Sequence, residues 1–191
     1  MLKQLGARLE KVVSLIEPGL PVWDLCCDHG YVGTRALENN LSPEVHFVDA
    51  VPEIVGALEK KLSDFGEFLG APRVEFHKLK AEDLSWENIS GNLIITGVGV
   101  DTIIAILEAI PDSRLLYCRM ILGPQNRQER LHSYILARGM PFELCHEWVV
   151  REGRRYRHLF LVNSVPLVDD NFLKRLDATH GQKVWYPSLE P

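Results

Sequence analysis

The spacing of hydrophobic and polar positions divides this chain into alternating strands and amphipathic helices. Apolar residues recur at helical spacing from Leu2 to Ile16, and Pro18-Gly19 predicts the end of this first helix. Short apolar runs then predict strands at residues 20–26, 44–50, 73–79, 92–99 and 114–122. Helical patterns follow four of them, at residues 31–40, 52–65, 101–110 and 126–139.

Strands that alternate with helices predict an α/β fold with a doubly wound, mainly parallel sheet and helices on both faces. Residues 142–164 carry two apolar runs around a glycine turn, which predicts a closing β-hairpin and one antiparallel strand. We therefore expect a Rossmann-like sheet of seven strands, preceded by an N-terminal helix. Residues 1–163 would form this domain, and residues 164–191 a short C-terminal tail.

Composition agrees with a soluble globular domain. The chain has 191 residues, of which 46% are hydrophobic and 25% charged, and no apolar run approaches the length of a membrane span. The N-terminus shows no signal-peptide pattern. Cysteines stand at positions 26, 27, 118 and 145 without disulfide or zinc spacing, so we expect reduced thiols, a cytoplasmic location and neither metal nor membrane as a partner.

The stretch WDLCCDHGYVG, residues 23–33, follows the first predicted strand, where nucleotide-binding loops usually lie. A dinucleotide fingerprint needs glycines where Cys26, Asp28 and Tyr31 stand, and Asp28 would repel a pyrophosphate at the helix N-terminus. This pattern excludes NAD. Asp24 and Asp28 together suit a cofactor with positive charge, such as S-adenosylmethionine (SAM), which carries a sulfonium and an ammonium group.

Further positions extend the predicted cofactor cleft. Gly30 in the first loop allows close backbone approach, and Asp49 ends the second strand 19 residues later, where a carboxylate can accept both ribose hydroxyls. A helix cap before Pro52 is the alternative role for Asp49. Ala81 and Glu82 follow the third strand and could contact an adenine edge, although a plain helix cap is an equally good interpretation.

Cys26 and Cys27 stand side by side at the strand end. Adjacent strand residues point to opposite sides, so the two thiols cannot easily chelate one metal. We interpret both as packing residues rather than a metal or redox site.

Four stretches resemble the bacterial tRNA (adenine(22)-N1)-methyltransferases, a family within the class I SAM-dependent methyltransferases. RLEKVVSLIEPGLPVWDLCCDHGYVG resembles the family's first helix and its D-I-G-S-D-H-A-Y loop, and NLIITGVGVDTIIAIL resembles its I-A-G-M-G-G turn after strand four. MILGPQNRQERLHSYILARG and VVREGRRYRHLFLV resemble the exit from strand five and the closing hairpin. The likeness spans roughly residues 5 to 163.

The resemblance implies roles for individual positions. It places the first loop around the methionine end of SAM, Asp49 on the ribose, and the turn after strand four beside the transferring methyl group. The implied cofactor-binding residues are Asp24, Cys26, Asp28, Gly30, Asp49, Ala81, Glu82, Gly97, Val98 and Gly99. Gly123, Pro124 and Gln125 would flank the target base, and Asp28, His29 and Gln125 are the candidate catalytic residues.

This sequence departs from the family pattern at several positions. Cys26 replaces a glycine, Val100 replaces the second turn glycine, Gly123 replaces a glutamine and Lys80 stands where aspartate is common. The family also carries a C-terminal helical coiled coil, where this chain has only the tail.

The net charge is −5, yet the segment 151–157 holds four arginines, Arg151, Arg154, Arg155 and Arg157. These are the candidate tRNA contacts, with solvated hairpin residues as the alternative. Strand alternation predicts that Arg155 and Arg157 share one face and that Tyr156 and His158 pack inward on the other. Three functions stay open: an RNA methyltransferase, a small-molecule methyltransferase, and a SAM-binding protein without catalysis.

Overall fold

The computed structural model describes residues 4–63, 72–115, 117–139 and 143–163. These residues form seven β-strands: β1 (Val22–Leu25), β2 (Glu44–Asp49), β3 (Arg73–Lys78), β4 (Gly91–Thr96), β5 (Cys118–Gly123), β6 (Glu143–Glu152) and β7 (Arg155–Asn163). They also form six α-helices: α1 (Ala7–Ser14), α2 (Tyr31–Glu38), α3 (Pro52–Ser63), α4 (Val100–Ala109), α5 (Asp112–Leu115) and α6 (Gln128–Arg138).

The seven strands form one sheet in the order β3-β2-β1-β4-β5-β7-β6. Strand β7 runs antiparallel to both β5 and β6, and the other pairings are parallel. The predicted Rossmann-like sheet with one antiparallel strand is confirmed. Strand β1 is buried at every position, as expected for a central parallel strand with helices on both faces.

Two connections differ from the sequence prediction. The fifth strand was predicted from residue 114, but α5 occupies Asp112–Leu115 and β5 begins only at Cys118. The carbonyl of Pro111 accepts the main-chain N–H groups of Arg114 and Leu115, and the Leu115 side chain is fully buried, so this turn contributes to the core as a helix. Between β3 and β4 the chain makes two 3₁₀ turns, Ala81–Asp83 and Trp86–Asn88.

The first helix is tied to the sheet by polar side chains that the hydrophobic pattern does not reveal. Asn92 on β4 is fully buried, and its amide accepts the main-chain N–H of Glu17 and donates to the Glu17 carbonyl, at 2.8 and 3.0 Å. Arg119 on β5 is also fully buried and donates from Nε to the carbonyl of Leu15 at 3.2 Å. These bonds fix α1 against the β6 side of the sheet, where Lys11 Nζ lies 4.6 Å from the Trp148 ring.

The predicted tail, residues 164–191, lies outside the described residues. So do the first residues of the predicted first helix and the end of the helix predicted at residues 52–65, beyond Ser63.

Candidate active site

The strand order reverses between β1 and β4, because β2 and β3 lie on one side of β1 while β4 and β5 lie on the other. In open α/β sheets, ligands bind at the carboxyl ends of the strands that flank such a reversal. The loops after β2, β1, β4 and β5 therefore meet at one edge of the sheet in that order. Neighbouring strands lie about 4.8 Å apart, so the loops after β1 and β5 face each other across roughly 10 Å.

The loop after β1 has a strained backbone. Cys26 and Asp28 have φ of 57° and 48°, and Gly30 has φ of 63°. Left-handed backbone costs a non-glycine residue about 1–2 kcal/mol, and such strain concentrates at functional sites. A Cβ at Gly30 would lie 2.4 Å from Leu58 Cδ2, so this position needs glycine for its backbone and for packing against α3.

Asp24 is the buried carboxylate beneath this loop. Its Oδ2 accepts the main-chain N–H of Gly33 at 2.9 Å, and the residue is 5% exposed. Burial raises the pKa of Asp24 to about 7, with a further increase from Asp49, while the Gly33 hydrogen bond acts in the opposite direction. Asp24 therefore titrates near neutral pH, and a nearby cation would favour its charged form.

Asp49 joins the ends of β1 and β2. Its Oδ2 accepts the main-chain N–H of Asp28 at 3.1 Å, and its Oδ1 accepts that of Val51 at 3.0 Å. The bond to Val51 closes a local turn just before α3, whereas the helix-cap alternative calls for a bond to an N–H in the first turn of that helix. The bond to Asp28 also holds the first loop against the end of β2. A carboxylate has about four lone-pair positions, so both oxygens can still accept a further hydrogen bond.

The Cys26 thiol lies near three acidic side chains, those of Asp49, Glu82 and Asp24. Its pKa is raised to about 12, first by burial and then by Asp49, Glu82 and Asp24. Three predicted cofactor residues therefore surround this thiol with negative charge. Burial also raises the pKa of Cys27, so both thiols stay protonated at neutral pH, as expected for packing residues. Ala81, beside Glu82, is buried in the core, where it packs with Leu84.

The loops after β4 and β5 are bonded to each other. The main-chain N–H of Gln125 donates to the Val98 carbonyl at 2.9 Å, and the Gln125 side-chain amide donates to the Gly97 carbonyl. Gly97 has φ of 80°, and a Cβ added at Gly97 or Gly99 would meet nothing within 4 Å. This turn therefore presents open backbone at the edge of the sheet, with Gln125 fastened to it.

Asp28 and His29 are exposed beside a pocket rather than enclosed in the cleft. The His29 ring nitrogen Nδ1 lies 3.6 Å from Asp28 Oδ1, and both side chains are about two-thirds exposed. With Tyr31 they line a pocket of about 390 Å³ against one face of α3, whose contributors are Glu53, Ile54, Ala57, Leu58 and Lys61. That pocket opens on the β2 side of the first loop, so a wall shared by Asp28, His29 and Gln125 stays a prediction.

The hairpin divides its arginines between two faces. Arg155 pairs with Glu152 and Arg157 with Val150, whereas Arg151 pairs with Tyr156 and so lies on the opposite face. Arg154 is exposed in the turn.

The face that carries Tyr156 does not pack uniformly inward. Tyr156 is 66% exposed near the tip of the hairpin, so its predicted burial is wrong. His158, two residues further along β7, is mostly buried and lies 2.7 Å from Glu147.

Two sets of contacts near Gln125 were not predicted from the sequence. The Arg157 guanidinium donates from Nη1 to the Gln125 carbonyl at 2.9 Å. Asp101, in the first turn of α4, pairs with Arg130 and with Arg127 at the start of α6. The partners in each contact lie far apart in the sequence. The charge cluster at residues 151–157 indicated Arg157 but not its partner, Gln125.

Within the described residues, no group of histidine, cysteine, aspartate or glutamate side chains is arranged to hold a metal ion. None of the described helices is long and apolar enough to cross a membrane.

Known proteins with this fold include several methyltransferases. The structure aligns with a putative tRNA (m1A22) methyltransferase of Streptococcus pneumoniae at a TM-score of 0.74 and 20% identity, over 89% of this chain and 76% of that one. It aligns with M. capricolum TrmK, bound to the cofactor product S-adenosylhomocysteine (SAH), at a TM-score of 0.73 and 18% identity, over 90% and 75% of the two chains. No curated protein sequence matches the chain.

A sequence model of a family described as "methyltransferase domain" matches residues 5–160, which includes the whole of the site described above. The chain therefore belongs to the methyltransferase domain family.

Proposed function

We propose that this protein transfers a methyl group from SAM to N1 of an adenine in tRNA. The observation that carries the proposal is the set of three carboxyl groups, those of Asp24, Asp49 and Glu82, around the strained first loop at the reversal point of the sheet. Similar folds support it, since they include a putative tRNA methyltransferase and a relative that holds SAH. Action on tRNA would place the protein in the cytoplasm.

The residues present fit SAM. Its sulfonium and ammonium groups are cationic, and Asp24 is a buried carboxylate that a cation would stabilise in its charged form. Asp49 can offer acceptor oxygens to the ribose hydroxyls, and Glu82 and the backbone at Ala81 would contact the adenine. The open turn Gly97–Val98–Gly99 would leave room beside the methyl group. The left-handed backbone at Cys26, Asp28 and Gly30 sets the shape of the first loop.

Methyl transfer to adenine N1 does not require a strong general base. The adenine N1 atom has an in-plane lone pair, and SAM supplies an activated methyl group when bound. The protein's own task is to align the target base, to hold that base away from its stacked neighbours and to exclude water. The rigid connection between Gln125 and the Gly97–Gly99 turn suits this task, because it fixes donors and acceptors at the edge where the base would enter.

The first prediction is that SAM or SAH stabilises the protein against thermal unfolding. A ligand held at 100 times its dissociation constant should raise the free energy of unfolding by about 2.7 kcal/mol. NAD at the same concentration serves as the control, because the first loop lacks the glycines of a dinucleotide site. Melting curves that do not move with millimolar SAM or SAH would remove SAM from the proposal.

The second prediction concerns the exposed hairpin arginines. Replacing both Arg154 and Arg155 by alanine should weaken tRNA binding and flatten its salt dependence, each lost phosphate contact lowering the salt slope by roughly 0.7–0.9. Arg157 is left intact because its guanidinium is bonded within the protein. SAM affinity should not change, because neither arginine lies at the cofactor loops.

A double change of Arg73 and Lys78 to alanine is the matched control. It also removes two positive charges, but from β3 at the opposite edge of the sheet. Equal losses of tRNA affinity in both double variants would show that net charge, rather than the hairpin, governs binding. No loss in either variant would favour a small-molecule substrate.

A further inference from the structure

Arg157 reaches from the hairpin to the loop after β5. Its Nη1 donates to the main-chain carbonyl of Gln125 at 2.9 Å, and its side chain is only 20% exposed. Arg155, two residues earlier on the same face of β7, is exposed. Arg151 Nε donates to the Gly153 carbonyl within the hairpin turn at 3.2 Å, whereas the Arg157 guanidinium bonds outside the hairpin, to the loop after β5.

The carbonyl that Arg157 holds belongs to a peptide segment already bonded on its other side. The Gln125 N–H donates to the Val98 carbonyl, and the Gln125 side chain donates to the Gly97 carbonyl. Gly97 in turn donates its N–H to the Gly123 carbonyl at 3.1 Å. With the Arg157 bond, the main-chain N–H, the main-chain carbonyl and the side-chain amide nitrogen of Gln125 are all hydrogen-bonded. The residue therefore cannot rotate without breaking bonds to the loop after β4 or to the hairpin.

Glu152 keeps the Arg157 guanidinium in place. Its Oε2 lies 3.6 Å from Arg157 Nε and 3.7 Å from Arg8 Nε, so one carboxylate separates two cations. Arg8 belongs to α1, and burial lowers its pKa while Glu152 acts to raise it. Glu152 on the hairpin therefore links Arg8 of the first helix to the Arg157 guanidinium, which holds Gln125.

We propose that Arg157 is a positioning residue for methyl transfer, which acts through Gln125 by fixing the loop after β5 against the Gly97–Gly99 turn. This inference rests on the proposed function. Arg157 does not touch the reacting atoms; it sets where the wall beside the target base lies. Misplacement of such a wall by about 1 Å can cost roughly a hundredfold in rate.

The test compares Arg157→Gln, Arg157→Lys and Arg73→Gln, the last on an exposed arginine of β3 at the other edge of the sheet. Glutamine keeps part of the aliphatic stem but is too short to reach the carbonyl, whereas lysine can still donate to it. We expect Arg157→Gln to lower kcat roughly 10- to 100-fold, with the KM for tRNA and the SAM dissociation constant within about twofold of the parent. Arg157→Lys should recover most of the rate, and Arg73→Gln should keep the parent kcat.

Amide hydrogen exchange gives a second readout that needs no substrate. The Gln125 N–H, bonded to the Val98 carbonyl, should exchange faster in Arg157→Gln and at the parent rate in Arg73→Gln. Unchanged protection at Gln125 would overturn the proposal, and so would a loss confined to tRNA affinity with a flatter salt slope, which identifies a phosphate contact. If the parent methylates no tRNA, the proposed function fails, while the exchange result still decides whether Arg157 fixes this loop.

Discussion

Asp49→Ala is expected to weaken SAM binding by about 1.5–3 kcal/mol, or roughly 10- to 150-fold in the dissociation constant. An ionised carboxylate that accepts ribose hydroxyls makes charge-assisted hydrogen bonds, and alanine removes them all. The same change frees the Asp28 and Val51 N–H groups, which loosens the first loop against the end of β2. Titration calorimetry with SAM measures the effect.

Asp49→Ser separates the two roles of this side chain. Serine can still cap the Val51 N–H, but it lacks the charge and the second oxygen. We expect it to recover the stability of the protein without ligand and to leave SAM binding weak. Full recovery of SAM affinity by serine, or parent affinity in Asp49→Ala, would make Asp49 a turn residue only. Asp112→Ala, on an exposed side chain of α5, is the control for a lost surface charge.

Asp24→Asn is expected to change how the stability of the protein without ligand depends on pH. The folded state raises the pKa of Asp24 from 3.8 to about 7, so it holds this proton more tightly than the unfolded chain does. The resulting stability is fully present below pH 3.8 and is lost as the pH rises through 7. A shift of this size corresponds to at most about 4 kcal/mol at pH 8.

Asparagine cannot ionise, so the Asp24→Asn variant does not lose this stability as the pH rises. The stability of Asp24→Asn relative to the parent should therefore rise between pH 4 and pH 8, whatever constant cost the buried amide adds. Other titrating groups, such as His46, whose pKa burial lowers to about 4, cancel in the comparison. Urea unfolding at both pH values measures the difference, with Asp112→Asn as the exposed control. A difference that does not vary with pH would show that Asp24 is ionised throughout.

The sheet could be predicted because its signal is local. Apolar runs alternate with helical patterns, and each run is short enough to be a strand, so strand number and the closing hairpin follow from periodicity. The 3₁₀ turn at Ala81–Asp83 has too few residues for a periodic pattern, and the helix at Asp112–Leu115 was assigned in part to a strand because a short apolar run does not distinguish the two. The bonds from the N–H groups of Arg114 and Leu115 to the Pro111 carbonyl identify this segment as helical.

The candidate site was only partly visible in the sequence. Asp24, Asp49 and the turn at Gly97 stand at strand ends, so topology alone brings their loops to one edge of the sheet. The left-handed backbone of Cys26 and Asp28 was indicated indirectly, since both stand where a dinucleotide loop has glycine. Arg157 was indicated only as a member of the charge cluster, and neither its bond to Gln125 nor the bonds of Asn92 carried a sequence signal, because the partners lie far away in the chain.

Transfer of a labelled methyl group tests the central claim most directly. The protein is incubated with SAM labelled in its methyl group and with bulk tRNA that lacks modifications, and the tRNA is then digested to nucleosides. We expect label to enter tRNA as N1-methyladenosine and Asp49→Ala to reduce this labelling strongly. SAM binding without label in any nucleoside would contradict the proposed methylation of tRNA, and label in a small molecule in place of tRNA would identify a different methyltransferase.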